Sequence, residues 1–205
     1  MTEPIRRMYK HGVFCLEGDW WNDLKHAASI EPVLRLLSES HVSRVPYIYR
    51  DVGTVEEFRY YLEKWTQHRY SEYRILYLGF HGTAGTIVVG DKRRKESMIS
   101  LDDLQDWLKD SCHRRVIHFG SCETMDINGN RLQEFLHATG AVALLGYRKF
   151  PDWLESAAFE TLLLGELQYN AITRPGLKAV RDRIHEALSG CELSRQLGFR
   201  IEIRK

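Results

Sequence analysis

Strand-like and helix-like segments take turns along this chain five or six times, and that alternation restricts its fold more than any other property. Residues 12–17 form a short apolar run that ends in Gly18-Asp19. Residues 21–40 carry a helical period split by Pro32, with Val33, Leu34, Leu36 and Leu37 on the apolar face. Residues 45–49 read as a strand, and Thr54 caps a helix over 55–68 with Glu57 at the capping-box position. The strand 74–80 is followed at once by His81-Gly82, and two short strands, 86–89 and 98–99, flank a charged tip at 90–97. Ser100 caps a short helix to Lys109, with Asp103 as its reciprocal partner. The strand 115–119 then runs straight into Gly120-Ser121-Cys122. A helix over 130–139, a strand over 141–146, helices over 152–169 and 175–188, and an alternating edge strand at 199–203 complete the chain. This order predicts an α/β fold, a mostly parallel sheet covered on both faces in a three-layer sandwich. At 205 residues the chain fits a single domain over 1–205.

Several function classes drop out early. The formal charge of +1 supplies no overall field toward nucleic acid or an anionic membrane. Apolar runs such as 141–145 and 162–164 are too short to span a bilayer, and Arg6, Arg7 and Lys10 precede no signal-like apolar stretch. A cytoplasmic address is therefore expected. Cys15, Cys112, Cys122 and Cys191 are irregularly spaced and read as free thiols.

In a parallel sheet, functional loops gather at the carboxyl ends of the strands. Three loops fall there: Gly18-Asp19, His81-Gly82 and 120–123. A cysteine attacks as thiolate, and a histidine beside it takes the proton and later returns it to the leaving group. His81 and Cys122 are the candidates for that pair. The amides of Gly82 and Cys122 are the candidate oxyanion donors, because a glycine lets a carbonyl approach closely.

These residues carry a resemblance. Ile75-Leu76-Tyr77-Leu78-Gly79-Phe80-His81-Gly82 resembles the strand-then-His-Gly motif of the caspase-like (clan CD) cysteine peptidases. Val116-Ile117-His118-Phe119-Gly120-Ser121-Cys122-Glu123-Thr124 is similar to their strand-then-Cys motif, nearest to the bacterial CHAT branch. The likeness is best over residues 73–168. It implies peptide-bond hydrolysis by a His–Cys dyad without a tightly held third member and without a cofactor. It also implies a protein or peptide substrate, an activating partner or small-molecule signal, and a role in bacterial stress or antiviral defence. Residues 147–151 depart from that branch, so specificity does not carry over.

Other features are weighed beside it. Glu17 and Asp19 end the first strand, and an acid there favours a basic residue before the cleaved bond, with Asp19 the first candidate. Arg50 and Arg148 would favour an acidic residue instead. Trp20, Trp21 and Trp153 are candidate pocket walls. Cys112, His113, His118 and Cys122 match no closed zinc pattern, so no metal is expected and His118 is expected to pack beneath the sheet. The tip 91–96 reads as a solvated turn, with a processing site or anionic contact as the alternative. Two rival functions remain. One is an α/β-hydrolase-type esterase with Cys122 as nucleophile and His185 as base, although Thr124 stands where the elbow wants glycine. The other is a non-catalytic binding module that keeps the fold.

Overall fold

In the computed structural model, which describes residues 8–21, 25, 28–40 and 44–205, the longest apolar runs become strands buried on both faces. β1 (Val13–Glu17), β3 (Ile75–Gly79), β7 (Val116–Phe119) and β8 (Ala143–Tyr147) are buried at every position. That is the pattern of parallel strands between two helical layers. With β2 (Tyr47–Asp51) and β9 (Phe199–Ile203) at the edges, the sheet order is β2-β1-β3-β7-β8-β9. All neighbours are parallel except β8 and β9.

Side chains alternate across the strands and feed two cores. One core takes Phe14, Leu76, Leu78, Ile117 and Phe119 from the sheet. It is covered by α2 (Val55–Thr66), α3 (Leu101–Trp107) and α4 (Gly129–Thr139), through Phe58, Leu62, Trp65, Leu104 and Phe135. The other takes Val13, Ile75, Val116 and Leu145. It is covered by α1 (Glu31–Glu39), α5 (Trp153–Leu167) and α6 (Arg174–Ala187), through Leu34, Leu37, Phe159, Leu163 and Val180. The protein is a three-layer α/β/α sandwich.

The chain leaves β1 toward β2 by way of α1 on one face. It then returns past β1 to β3, β7 and β8 by α2, α3 and α4 on the other face. The direction of winding therefore reverses between β1 and β3, and the loops at their carboxyl ends diverge to leave a crevice. Glu17 ends β1 and His81 follows β3, so both belong to this opening.

Local signals explain most boundaries. Ser100 and Asp103 form the expected capping box at the start of α3. Thr54 caps α2 by accepting from the Glu57 amide at 3.2 Å, but the Glu57 carboxylate accepts from Gly53 N, at 3.1 Å, rather than from Thr54. Asp152 caps α5 through Leu154 N and Glu155 N.

Three expectations need correcting. The helix expected over 21–40 begins only at Glu31, with Pro32 in its first turn instead of splitting it. Trp21, Lys25, Ala28 and Ser29 are not helical, and the other residues of 22–27 lie outside the described set, as do Arg6 and Arg7. Leu36, expected on the apolar face, is 60% exposed, while Leu34 and Leu37 make the contact. His81 to Thr83 are themselves a strand, β4 (His81–Thr83), which pairs with β5 (Thr86–Val88) and then β6 (Met98–Ser100) in a small antiparallel sheet. A further short helix, α7 (Glu192–Leu197), precedes β9. Among the described residues, no helix is long and apolar enough to cross a membrane.

Candidate active site

β3 and β7 are parallel neighbours in which Leu78 pairs with Phe119. His81 and Cys122 each lie three residues beyond that pair, so the register brings them level at the carboxyl edge of the sheet. Both line one cavity of about 350 Å³, together with Glu17, Trp20, Trp21, Tyr77 and Trp153.

Close packing holds the two loops together. A Cβ on Gly82 would lie 2.6 Å from the Cys122 carbonyl oxygen, 2.9 Å from Ser121 Cβ, and nearer still to Thr124 Oγ1. Only glycine allows this approach. At Gly120 a Cβ would collide with the Tyr77 ring, 2.6 Å from its Cζ. After Cys122 the chain turns sharply through Glu123, whose φ of 53° is left-handed and uncommon for a non-glycine residue. The turn is pinned by Glu123 N to Lys149 O at 3.2 Å, Met125 N to Tyr147 O at 3.0 Å, and a Ser121–Thr124 hydroxyl bond at 2.9 Å. The Cys122 amide donates to no backbone carbonyl among the described residues and bonds instead to its own sulfur.

The electrostatics describe a resting thiol. Burial pushes the Cys122 thiol above its ordinary range, and the Glu123 charge adds to the shift, while its own amide works against it. The thiol therefore needs a base at the moment of attack. Among the described residues no hydrogen bond fixes His81; its ring is packed edge-to-face against Trp20, with centroids 5.7 Å apart. Trp20 in turn donates its indole N–H to Glu17 at 2.8 Å. Glu17 also accepts from Ser29 Oγ at 2.6 Å and from the Ile30 amide at 3.0 Å. Burial still dominates and raises its carboxyl above the usual range. Glu17 is thus a buried acid that orients the wall against which the imidazole rests.

Beneath the crevice lies a polar cluster that sequence reasoning missed. His118 Nε2 and Glu160 Oε1 are 2.8 Å apart at 0% and 1% side-chain exposure. The same oxygen accepts from Tyr147 at 2.7 Å and Tyr77 at 3.3 Å. Burial, then the Glu160 charge, raises both phenols well above their ordinary value. Among the described residues, His118 Nδ1 and Glu160 Oε2 have no hydrogen-bond partner. Tyr77 carries this cluster up to Gly120 and the crevice. The available signal was a lone acid among Ala157, Phe159 and Leu163 on a buried helix face, with a lone histidine inside a buried strand.

The structure brings together His81, Gly82, Cys122, Glu17 and Trp153 from the expected set, along with Trp20 and Trp21. It does not bring Asp19, which is exposed and outside the lining, so Glu17 is the acid of the crevice. Arg148 is exposed, and Arg50 faces a different groove. His185 is exposed on α6, outside the crevice. Cys112 packs in the α2–α4 core whereas His118 contacts Glu160 of α5 across the sheet, so they do not converge with Cys122. Among the described residues, no group of three or more His, Cys, Asp or Glu is placed to hold a metal ion. The tip 91–96 is a turn closed by an Asp91–Arg93 ion pair at 2.8 Å.

Fold and site together define an α/β protein with a thiol and an imidazole at the carboxyl ends of adjacent central strands. The chain belongs to DUF6642, a family of unknown function, whose model matches residues 10–202. No curated protein matches the sequence.

Proposed function

We infer that this protein is a cysteine endopeptidase. The observation that carries the reading is the level register of His81 and Cys122 at the ends of β3 and β7, over a shared cavity. His81 accepts the Cys122 proton as the sulfur attacks a peptide carbonyl. The amides of Gly82 and Cys122 hold the oxyanion. The imidazolium then protonates the leaving amine, the C–N bond breaks, and a thioester remains. Water attacks the thioester with His81 again as base, which releases the carboxylic acid and restores the thiol. The resemblance of both strand motifs to the caspase-like peptidases supports the same chemistry. Glu17 is the acid in the crevice, which favours a basic side chain before the cleaved bond.

Control by a partner or a small molecule that raises the basal rate follows from the resemblance alone. Such control is expected of a peptidase kept in the cytoplasm, where its four free cysteines would stay reduced. A role in stress or antiviral defence follows from the resemblance alone.

The test is cleavage of a diverse peptide mixture, read by mass spectrometry, with wild type, Cys122→Ala, His81→Ala and His185→Ala. Cuts by wild type and His185→Ala but by neither dyad variant are expected, clustered after Lys or Arg. Cuts that survive Cys122→Ala, or vanish with His185→Ala, contradict the reading.

A further inference from the structure

A second concavity, of about 170 Å³, lies between the edge strand β2 and α2. It shares no lining residue with the crevice. Three cations from three segments meet in it: Arg50 in β2, Lys64 on α2, and Arg69 in the 3₁₀ turn His68–Tyr70. Among the described residues no carboxylate lines the groove and none of the three forms an ion pair. Each rests on a tyrosine instead. Lys64 Nζ is 4.9 Å from the Tyr60 ring centroid, Arg69 Cζ 4.9 Å from Tyr70, and Arg50 Cζ 5.8 Å from Tyr61.

An aromatic face steadies a cation without neutralising it. Three like charges held around one small groove repel one another, and no acid in its lining offsets that cost. The concentration is local, since the chain as a whole carries a formal charge of only +1. A ligand with several negative charges on tetrahedral oxygens matches such a set, because guanidinium groups grip phosphate through paired N–H donors. The rings add a second requirement. Tyr60 is 54% exposed and stands edge-to-face with Tyr61 at 5.2 Å, which offers a stacking surface for a planar base beside the charges.

We propose that this groove binds a nucleotide, with its phosphates among Arg50, Lys64 and Arg69 and its base against Tyr60. The volume suits the phosphate end, since pockets that enclose a whole ligand run to about 300–1,000 Å³. The base therefore lies at the mouth, where Tyr60 is exposed. The proposal concerns a site apart from the crevice and stands whether or not the crevice cleaves peptides.

The test is isothermal titration calorimetry of the full chain with ATP, tripolyphosphate and adenosine, in low salt. Saturable ATP binding is expected, with tripolyphosphate weaker and adenosine weakest. Arg50→Ala, Lys64→Ala and Arg69→Ala should each weaken ATP by about tenfold, the worth of one charge-assisted hydrogen bond. Tyr60→Leu should weaken ATP toward the tripolyphosphate level and leave tripolyphosphate unchanged. These side chains lie at the groove's surface, so melting temperatures should stay at the wild-type value and keep the comparison clean. Three results would each overturn the proposal: no saturable ATP binding at millimolar concentration, unchanged affinity when Arg50→Ala, Lys64→Ala and Arg69→Ala are combined in one chain, or saturable binding of a single-stranded oligonucleotide but not of ATP.

Discussion

At the residue scale, the proposed chemistry turns on Cys122, whose thiol burial pushes above its ordinary range. A raised pKa leaves less thiolate at any given pH than a free cysteine has, so resting Cys122 should alkylate slowly at neutrality. Its rate should climb as pH rises through a midpoint above that of a free thiol. Iodoacetamide rates from pH 6 to 10, assigned residue by residue by mass spectrometry, check this, and a midpoint near neutrality would mean a preformed thiolate. Cys112 offers a contrast within the same chain, because burial lifts its thiol to about 12 and should leave it unlabelled throughout. Glu17 carries the second prediction. Glu17→Gln keeps an acceptor for Trp20 and Ile30 and turns an amide N–H toward Ser29 Oγ, but removes the carboxylate, so cleavage after Lys or Arg should fall about tenfold or more while the melting temperature holds. His81 and Cys122 were legible in the sequence because each ends an apolar run beside a glycine or a small residue. Which acid enters the crevice was not. Glu17 and Asp19 are two residues apart, and only the packing of Gly79 against the Glu17 side chain and the pinned 29–30 segment decides between them.

At the scale of elements, two contacts set the site. The β4 start abuts the turn after β7 through Gly82, and Gly82→Ala should abolish cleavage because the added methyl meets backbone that cannot move aside. Gly165→Ala on α5 is the matched control. Nothing lies within 4 Å of its added Cβ, so it should keep full activity and gain about 0.5–1 kcal/mol in urea denaturation. The second contact is the Glu160 cluster that joins α5 to β3, β7 and β8 under the crevice. Glu160→Ala strands His118, Tyr147 and Tyr77 in the core and should cost about 3–5 kcal/mol. Glu160→Gln retains an acceptor and should cost about 1–2 kcal/mol in the same urea melts. Element types were largely legible from period and caps, as at Ser100 and Asp103 for α3. The start of α1 was not, because Glu17 takes the Ile30 amide and the Ser29 hydroxyl. That long-range tie engages Ser29 and Ile30 directly before the helix, so α1 begins at Glu31. The short strand β4 was missed for a similar reason: three residues are too few for a period, and it exists by pairing with β5.

At the scale of the molecule, the sheet order makes the site. Strand alternation in the sequence dictated a parallel sheet between two helical layers, but not which strands are neighbours. The order β2-β1-β3-β7-β8-β9 puts the reversal of winding between β1 and β3 and puts β7 next to β3, so one crevice collects residues from the segments after β1, β3, β7 and β8. Had another strand separated β3 from β7, the same two motifs would stand about 10 Å apart, two strand spacings, and do no joint chemistry. The central claim is that Cys122 and His81 form one catalytic unit in this crevice. Its most direct test is intact-mass analysis of the full chain after incubation with a lysyl peptide acyloxymethyl ketone, a reagent that traps an enzyme-activated thiolate. The account predicts a single adduct that maps to Cys122, absent in Cys122→Ala and slowed at least about a hundredfold in His81→Ala, the usual worth of a general base. An adduct confined to the exposed Cys191, or equal labelling of Cys122 with and without His81, would contradict it.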